Sequence, residues 1–264
     1  MTSRLLLIRF SEIMLKGNNR PLFERALMEN CSRVLLFGDA RVVKRHGRVC
    51  VELGESAAIE DTIKKLKKVF GIAYIVPVFP FALRWKTADE APILIENLAK
   101  KIAACVPKKK WRSFKIEAKR TDKQFPVSSA VINALLGKEL NTMLSVPVDV
   151  RDPHLTISVD VEKETCFVYF EKIRGFSGFP SGVSGKALCL LSSGFDSPVA
   201  SFLIAKRGVK MSFVHFHSYP QTSIQSIENV KRIVSRLAGY GMGATLYLVP
   251  LLDVQKEIAF HAPA

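Results

Sequence analysis

A chain of 264 residues, 48% hydrophobic and 9% aromatic, is long enough for two or three packed units and too apolar for a disordered tail. Its formal net charge of +15 points to a polyanionic partner, nucleic acid before an anionic membrane surface, unless the charge serves solubility alone. Leu5-Leu6-Leu7-Ile8 is too short for a secretory signal, Pro77 and Pro80 interrupt the apolar run over 69–85, and the five cysteines form neither C-x-x-C nor zinc spacing; the expectation is a reduced, cytoplasmic protein with no membrane span.

Residues 3–10 read as a strand. Residues 21–37 read as a helix with Leu22, Ala26, Leu27, Val34 and Leu35 along one face and Gly38 as its stop. A hairpin is expected over 41–45 and 48–53 around His46-Gly47, then a helix over 56–70 with Ile59, Ile63 and Leu66 on one side, then a strand over 72–78. The order βαββαβ is the split ferredoxin-like unit, placed at residues 1–78. A second α/β unit, residues 79–171, carries helices over 88–104 and 127–141 and strands over 113–119, 148–150, 155–161 and 166–170. Residues 172–185, with four glycines, three serines and Pro180, have the composition of a linker. The third unit, 186–264, alternates strand, helix (198–207), strand (210–216), helix (223–240) and strand (245–249). That succession implies a parallel sheet with right-handed crossovers, whose ligands bind beyond the carboxyl ends of strands, where Ser192 and His215 fall.

Within the third unit, Leu188-Cys189-Leu190-Leu191 is an apolar strand, Ser192-Ser193-Gly194-Phe195-Asp196-Ser197 a turn, and Pro198 the first position of a helix capped by Ser197. A strand, a Ser/Gly turn and a helix N-terminus make a cradle for phosphate or pyrophosphate, with Gly194 supplying backbone angles that other residues avoid. An ordinary strand-to-helix connection is the bland alternative. A Walker loop is excluded at Gly185-Lys186, since Pro180 and Ala187 replace its glycine and Ser/Thr and the pair precedes the strand. Residues 192–197 resemble the SGGxDS loop of the PP-loop ATP pyrophosphatases, with Ser193 in place of the first glycine. The serine either crowds the nest or adds its hydroxyl to it.

Positive charge is concentrated. Residues 100–123 carry ten basic side chains against Glu117 and Asp122, an excess of +8. Lys115 and Lys119 alternate with Phe114, Ile116 and Ala118, so one strand face is core and the other cationic. With Lys108, Lys109, Lys110, Arg112, Arg120 and Lys123 they form either a track for an RNA backbone, with Trp111 available for base stacking, or a solvated basic surface.

Five segments in order resemble the tRNA sulfurtransferases that make 4-thiouridine and supply sulfur for the thiamine thiazole. Residues 8–20 are similar to that family's opening I-R-x-x-E-I-x-L-K-G-x-N-R, 120–126 to the R-x-D-K-x-F-P motif of its THUMP domain, and 171–186 to its G-x-P-x-G-x-S-G-K segment. Residues 192–200 resemble its ATP loop and 214–218 its second-strand motif. The resemblance implies a ferredoxin-like domain, a THUMP domain that binds tRNA, and an adenine nucleotide α-hydrolase-like PP-loop domain that adenylates the uridine at position 8 of tRNA before persulfide sulfur displaces AMP. It implies ATP and Mg²⁺ as cofactors, a cysteine desulfurase as sulfur donor, and a sulfur-carrier protein as a further partner. The ATP site it implies comprises Leu190, Leu191, Ser192, Ser193, Gly194, Asp196, Ser197, His215 and Phe216, with Asp196 either positioning metal or locking the loop. It assigns no chemistry to Glu12, Lys16 or Arg20.

Only three strands of the third unit are visible before residue 264, and no cysteine stands where the family's catalytic cysteine is expected. The expectations are a partial PP-loop domain, an exposed sheet surface and a homo-oligomer that covers it. Two functions stay open: an ATP-dependent tRNA-modifying enzyme, and a tRNA-binding module with no catalysis of its own. Another PP-loop enzyme, such as an amidating ligase, would leave the THUMP-like region idle.

Overall fold

The computed structural model describes residues 3–10, 12–36, 38–45, 47–84, 88–121, 125, 127–162, 164–242 and 245–262. In chain order the elements are β1 (Leu5–Arg9), a pair of 3-10 turns (Glu12–Asn19), α1 (Arg20–Val34), β2 (Ala40–Arg45), β3 (Arg48–Leu53), α2 (Ile59–Leu66) and β4 (Tyr74–Ala82). Next come α3 (Ala91–Cys105), β5 (Phe114–Arg120), α4 (Ser129–Leu144), β6 (Leu155–Glu162), β7 (Thr165–Tyr169) and β8 (Ile173–Arg174). The last are β9 (Lys186–Leu190), α5 (Asp196–Ala205), β10 (Lys210–His217), α6 (Ile224–Ala238), β11 (Leu246–Pro250) and α7 (Leu252–His261). The βαββαβ order expected at the start is present, and the expected strand over 148–150 reduces to a single bridge from Val148 to Phe114. Tertiary contacts divide the chain into two compact units, residues 1–7, 50–54 and 76–173, and residues 8–49, 55–75 and 174–264.

In the first unit the strand order is β3-β1-β4-β7-β6-β5. β5 runs parallel to β6 from Phe114 opposite Leu155 to Arg120 opposite Val161, and β7 runs antiparallel to both β6 and β4. A parallel pair needs a crossover, and α4 supplies it. Ser128 caps α4, its hydroxyl accepting from the Val131 amide, and Ser145 closes it in the left-handed conformation at φ 54. The period-two pattern of β5 decides its faces: Phe114, Ile116 and Ala118 are buried with Ile95, Leu98, Ile102, Leu136 and Leu140 of α3 and α4, while Lys115 and Glu117 are half-buried and Lys119 is exposed.

In the second unit β9, β10 and β11 form a parallel sheet with β10 in the centre. Phe213 pairs with Cys189 on one side and Leu246 on the other. One face of the sheet is closed by α5 and α6 around Leu191, Ala205, Met211, Phe213, Val230 and Val234, joined by Phe70. Phe70, Phe176, Phe202 and Tyr240 meet at centroid distances of 5.1 to 6.1 Å, edge to face except for the tilted Phe70–Phe176 pair. The other face is open: Lys186, Leu188, Ser212, Val214, Tyr247 and Val249 line a shallow groove of about 570 Å³, and Leu188 and Leu190 are more than half exposed. α7 follows without a buried residue.

The Gly/Ser-rich segment read as a linker is a fixed strap in this unit. The amides of Gly175 and Ser177 bond the carbonyls of Ala73 and Ile72, the Phe179 amide bonds the Lys206 carbonyl at 3.0 Å, and those of Gly182 and Ser184 share the Gly208 carbonyl. Gly178, at φ +80, lies so close to the Lys206 carbonyl that a Cβ would sit 2.2 Å from its oxygen, so only glycine fits.

Candidate functional site

The loop between β9 and α5 is held by its own hydroxyls. Ser197 Oγ accepts from the Ser192 amide and bonds Ser192 Oγ, both at 3.0 Å, and Ser192 Oγ accepts from the Gly194 amide at 3.3 Å. The helix begins two residues earlier than its proline indicates. Phe195 is the N-cap residue, Asp196 opens the helix, and Ser197 lies inside the first turn, reaching back into the loop instead of capping. A proline at the third helical position is tolerated because no first-turn amide has an intrahelical acceptor. Gly194 is not in the left-handed region, which corrects its expected role; a Cβ there would meet nothing nearer than Ser192 Oγ at 3.4 Å. Ser193 also lies outside that region, so a serine fits its backbone without strain.

Residues 192–196 are exposed at the carboxyl end of β9. Among the described residues, nothing accepts from the amides of Ser193, Phe195, Asp196 and Ser197. Free amides at the positive end of a helix, with a glycine beside them, hold anions. Asp196 places a carboxylate at the same mouth, exposed and without a protein partner among the described residues.

The remaining expected nucleotide residues separate. Leu191 is buried in the core and its amide bonds the Val214 carbonyl at 2.9 Å, whereas Leu190 and Phe216 expose side chains, at 67% and 44%. His215 is buried and pinned at both ring nitrogens: Nδ1 is 2.8 Å from the Leu191 carbonyl and Nε2 is 3.3 Å from Ser226 Oγ. Its imidazole braces the end of β9 against α6, so its main chain alone is available to a ligand. His217, two residues on, is half-buried near the Tyr219 amide.

The basic segment of the first unit divides in two. Lys108, Lys109 and Lys110 are exposed after α3 and make no ion pair among the described residues. Arg112 follows, its Nε donating to His154 Nε2 at 3.0 Å. With Trp111, Val106 and Val146, Lys109, Lys110 and Arg112 edge a groove of about 570 Å³. On the sheet face, Lys119 is 3.1 Å from Glu117, and that hydrogen bond holds the Glu117 carboxyl below its ordinary range and raises the Lys119 ammonium. Arg120 donates to the Phe125 carbonyl at 2.9 Å. Lys115 is half-buried on this face, and Lys123, with most of the 120–126 motif, lies outside the described residues.

Glu12, Lys16 and Arg20, unassigned by the sequence, are packing residues of the second unit. Glu12 pairs with Arg207 at 2.7 Å, just past the end of α5. The Lys16 ammonium and the Arg207 guanidinium lie 4.2 and 4.6 Å from the centroid of the Phe179 ring, and Phe23 meets that ring edge-on. Gly17 makes the kink between the two 3-10 turns at φ 49. Arg20 and Lys44 converge on buried Glu24 at 2.7 and 2.6 Å.

Three family profiles match in series: a ferredoxin-like domain of the thiamine biosynthesis protein over residues 5–75, the THUMP domain over 94–171, and the thiamine biosynthesis protein itself over 182–264. A probable tRNA sulfurtransferase of Acetivibrio thermocellus is 38% identical over 263 residues, 98% of this chain. The chain belongs to the tRNA sulfurtransferase family. It spans 65% of that relative's length. A 4-thiouridine synthetase solved in complex with RNA and with ATP bound matches at TM-score 0.78 and 33% identity, over 99% of this chain and 65% of the other. PH1313 of Pyrococcus horikoshii matches at TM-score 0.71 and 25% identity, over 98% and 84%. The fold is therefore ferredoxin-like, THUMP and PP-loop in series. No helix among the described residues is long and apolar enough to cross a membrane, and none of them gathers three His, Cys, Asp or Glu side chains for a metal.

Sequence reasoning missed Ser201, Ser226 and His154. Ser201 stands four places after Ser197, one helical turn, and that spacing is the signal that marks it. Ser226 and His154 touch residues distant in the chain and leave no local signal.

Proposed function

We propose that this protein is an ATP-dependent tRNA sulfurtransferase that activates the uridine at position 8 of tRNA and replaces its 4-oxygen with sulfur. The observation that carries the reading is the loop at residues 192–197, exposed over 192–196, whose free amides and Asp196 carboxylate at the start of α5 have no partner among the described residues. ATP fits this donor set: its phosphates accept from the amides, Gly194 leaves them uncovered, and the main chain at Leu190, Leu191, His215 and Phe216 borders the adenosine. Mg²⁺ would be held by Asp196, phosphate oxygens and water, since no group of three His, Cys, Asp or Glu side chains is gathered among the described residues, and it would neutralise charge on the departing pyrophosphate. The chain's own part is to hold the leaving group. Adenylation turns a poor leaving oxygen into AMP, and the amides stabilise the charge that develops on pyrophosphate. Lys108, Lys109, Lys110 and Arg112 bind the tRNA backbone, with Lys115, Lys119, Arg120 and Lys123 as a second set of cations.

The sulfur comes from a cysteine desulfurase, directly or through a sulfur-carrier protein, and the same sulfur serves the thiamine thiazole. The protein acts in the cytoplasm as a homo-oligomer whose contact covers the open sheet face of the second unit. The cysteines favour a second reading, a tRNA-binding module without catalysis. Cys31, Cys50, Cys105 and Cys166 are buried, and burial pushes the Cys31 and Cys166 thiols up to about 12, which leaves them inert as sulfur carriers. Titration with a non-hydrolysable ATP analogue and with tRNA tests the binding claims. Saturable binding of both supports them, binding of tRNA alone favours the module, and binding of neither refutes both.

A further inference from the structure

Ser201 is fully buried in α5 beneath the nucleotide loop. Its Oγ donates to the Ser197 carbonyl at 2.7 Å and stands 2.9 Å from Cys189 Sγ on β9. With its single proton committed to the carbonyl, the serine accepts from the thiol. A buried hydroxyl among apolar neighbours is unfavourable unless bonded, and alanine would fill the same space without that demand.

The residue it holds is under conformational pressure. Ser197 is helical, yet Pro198 follows it, and a residue before proline is pushed out of the helical region by the proline ring. Ser197 is also the residue on which the loop hangs, because its own hydroxyl takes the Ser192 amide and Ser192 in turn takes that of Gly194. One polar chain thus runs from Cys189 through Ser201, Ser197 and Ser192 to Gly194.

We propose that Ser201 is a positioning residue for the nucleotide loop: by gripping the Ser197 carbonyl it keeps Ser197 in the helical conformation that Pro198 opposes, and so sets the Ser197 hydroxyl against Ser192. The role in nucleotide binding rests on the function proposed above; the role in loop geometry does not. Ser201 touches no ligand itself and acts through Ser197.

The test compares the wild type with Ser201→Ala, Pro198→Ala and the double variant by amide exchange over residues 190–197 and by titration with a non-hydrolysable ATP analogue. Ser201→Ala is expected to speed exchange at Ser192 and Gly194 and weaken analogue binding, each about five- to tenfold, the size of one lost buried hydrogen bond, with tRNA affinity unchanged. Adding Pro198→Ala removes the opposing strain and is expected to restore both readings to within about twofold of the wild type. Unchanged exchange in Ser201→Ala, or a loss that Pro198→Ala leaves in place, overturns the proposal, since a serine that merely packs gains nothing from removal of a proline. If the exchange pattern follows expectation while the wild type binds no analogue, the positioning role stands and the nucleotide reading falls.

Discussion

Gly194 separates two reasons for a glycine in a phosphate loop. Its backbone is one that alanine adopts, and the space for a Cβ is bounded by Ser192 Oγ at 3.4 Å. Folding therefore does not require glycine there, whereas an anion seated on bare amides does. Gly194→Ala is expected to leave the unfolding free energy within about 1 kcal/mol of the wild type, because a glycine in compatible conformation loses little or gains slightly on substitution. The same change is expected to weaken ATP binding at least tenfold, a loss of roughly 1.4 kcal/mol. Thermal melts and titration on one preparation check it; a variant that unfolds, or binds ATP normally, contradicts the assignment. Individual residues were legible unevenly. The SSGFDS string pointed to the loop, but Ser197 as helix cap and Gly194 as left-handed glycine rest on generic rules, and the loop's own hydroxyl network overrides both.

At the scale of elements, the joint between α1 and β2 is ionic. Burial works to raise the Glu24 carboxyl, but hydrogen bonds from Lys44 and Arg20 and their charges outweigh it, so Glu24 lies below the ordinary carboxylate range. A carboxyl depressed in the folded state stabilises it fully above the unfolded pKa, and the stabilisation is lost as pH falls through the folded value. Glu24→Gln is expected to destabilise the protein by about 1–3 kcal/mol at neutral pH, where two partly exposed cations lose their counter-charge, and by progressively less in acid. Melting curves of both forms at neutral and acid pH decide this; a pH-independent difference would assign Glu24 to packing alone. The alternation in β5 and the βαβ rhythm of the last segment were readable because burial of one face imposes a period on the sequence. The strap over residues 175–185 was not, because its order comes from backbone bonds to Ile72, Ala73, Lys206 and Gly208, which composition cannot express.

For the whole molecule, charge and open surface make separate demands. Lys108, Lys109 and Lys110 lack internal partners among the described residues, whereas Lys119 and Arg120 already have them. Replacing the three lysines by alanine is expected to weaken tRNA binding and lower the magnitude of its salt slope by about 2–3, one counterion released per phosphate contact. An unchanged slope would leave those lysines as solvated surface. The bare face of the β9-β10-β11 sheet is the other exposed feature, and light scattering is expected to show a species larger than one chain; a monodisperse monomer contradicts the proposed oligomer. The charge asymmetry was visible in the sequence as the +8 excess, but not which of its members are free, since that depends on neighbours across the sheet. All of these features serve one central claim, that tRNA held on the cationic unit is activated by ATP held at the start of α5. The most direct measurement is pyrophosphate release from ATP with and without tRNA, in the wild type and in Asp196→Ala. The account predicts tRNA-stimulated release that disappears in Asp196→Ala while tRNA affinity persists; release indifferent to tRNA, or undiminished by that substitution, contradicts it.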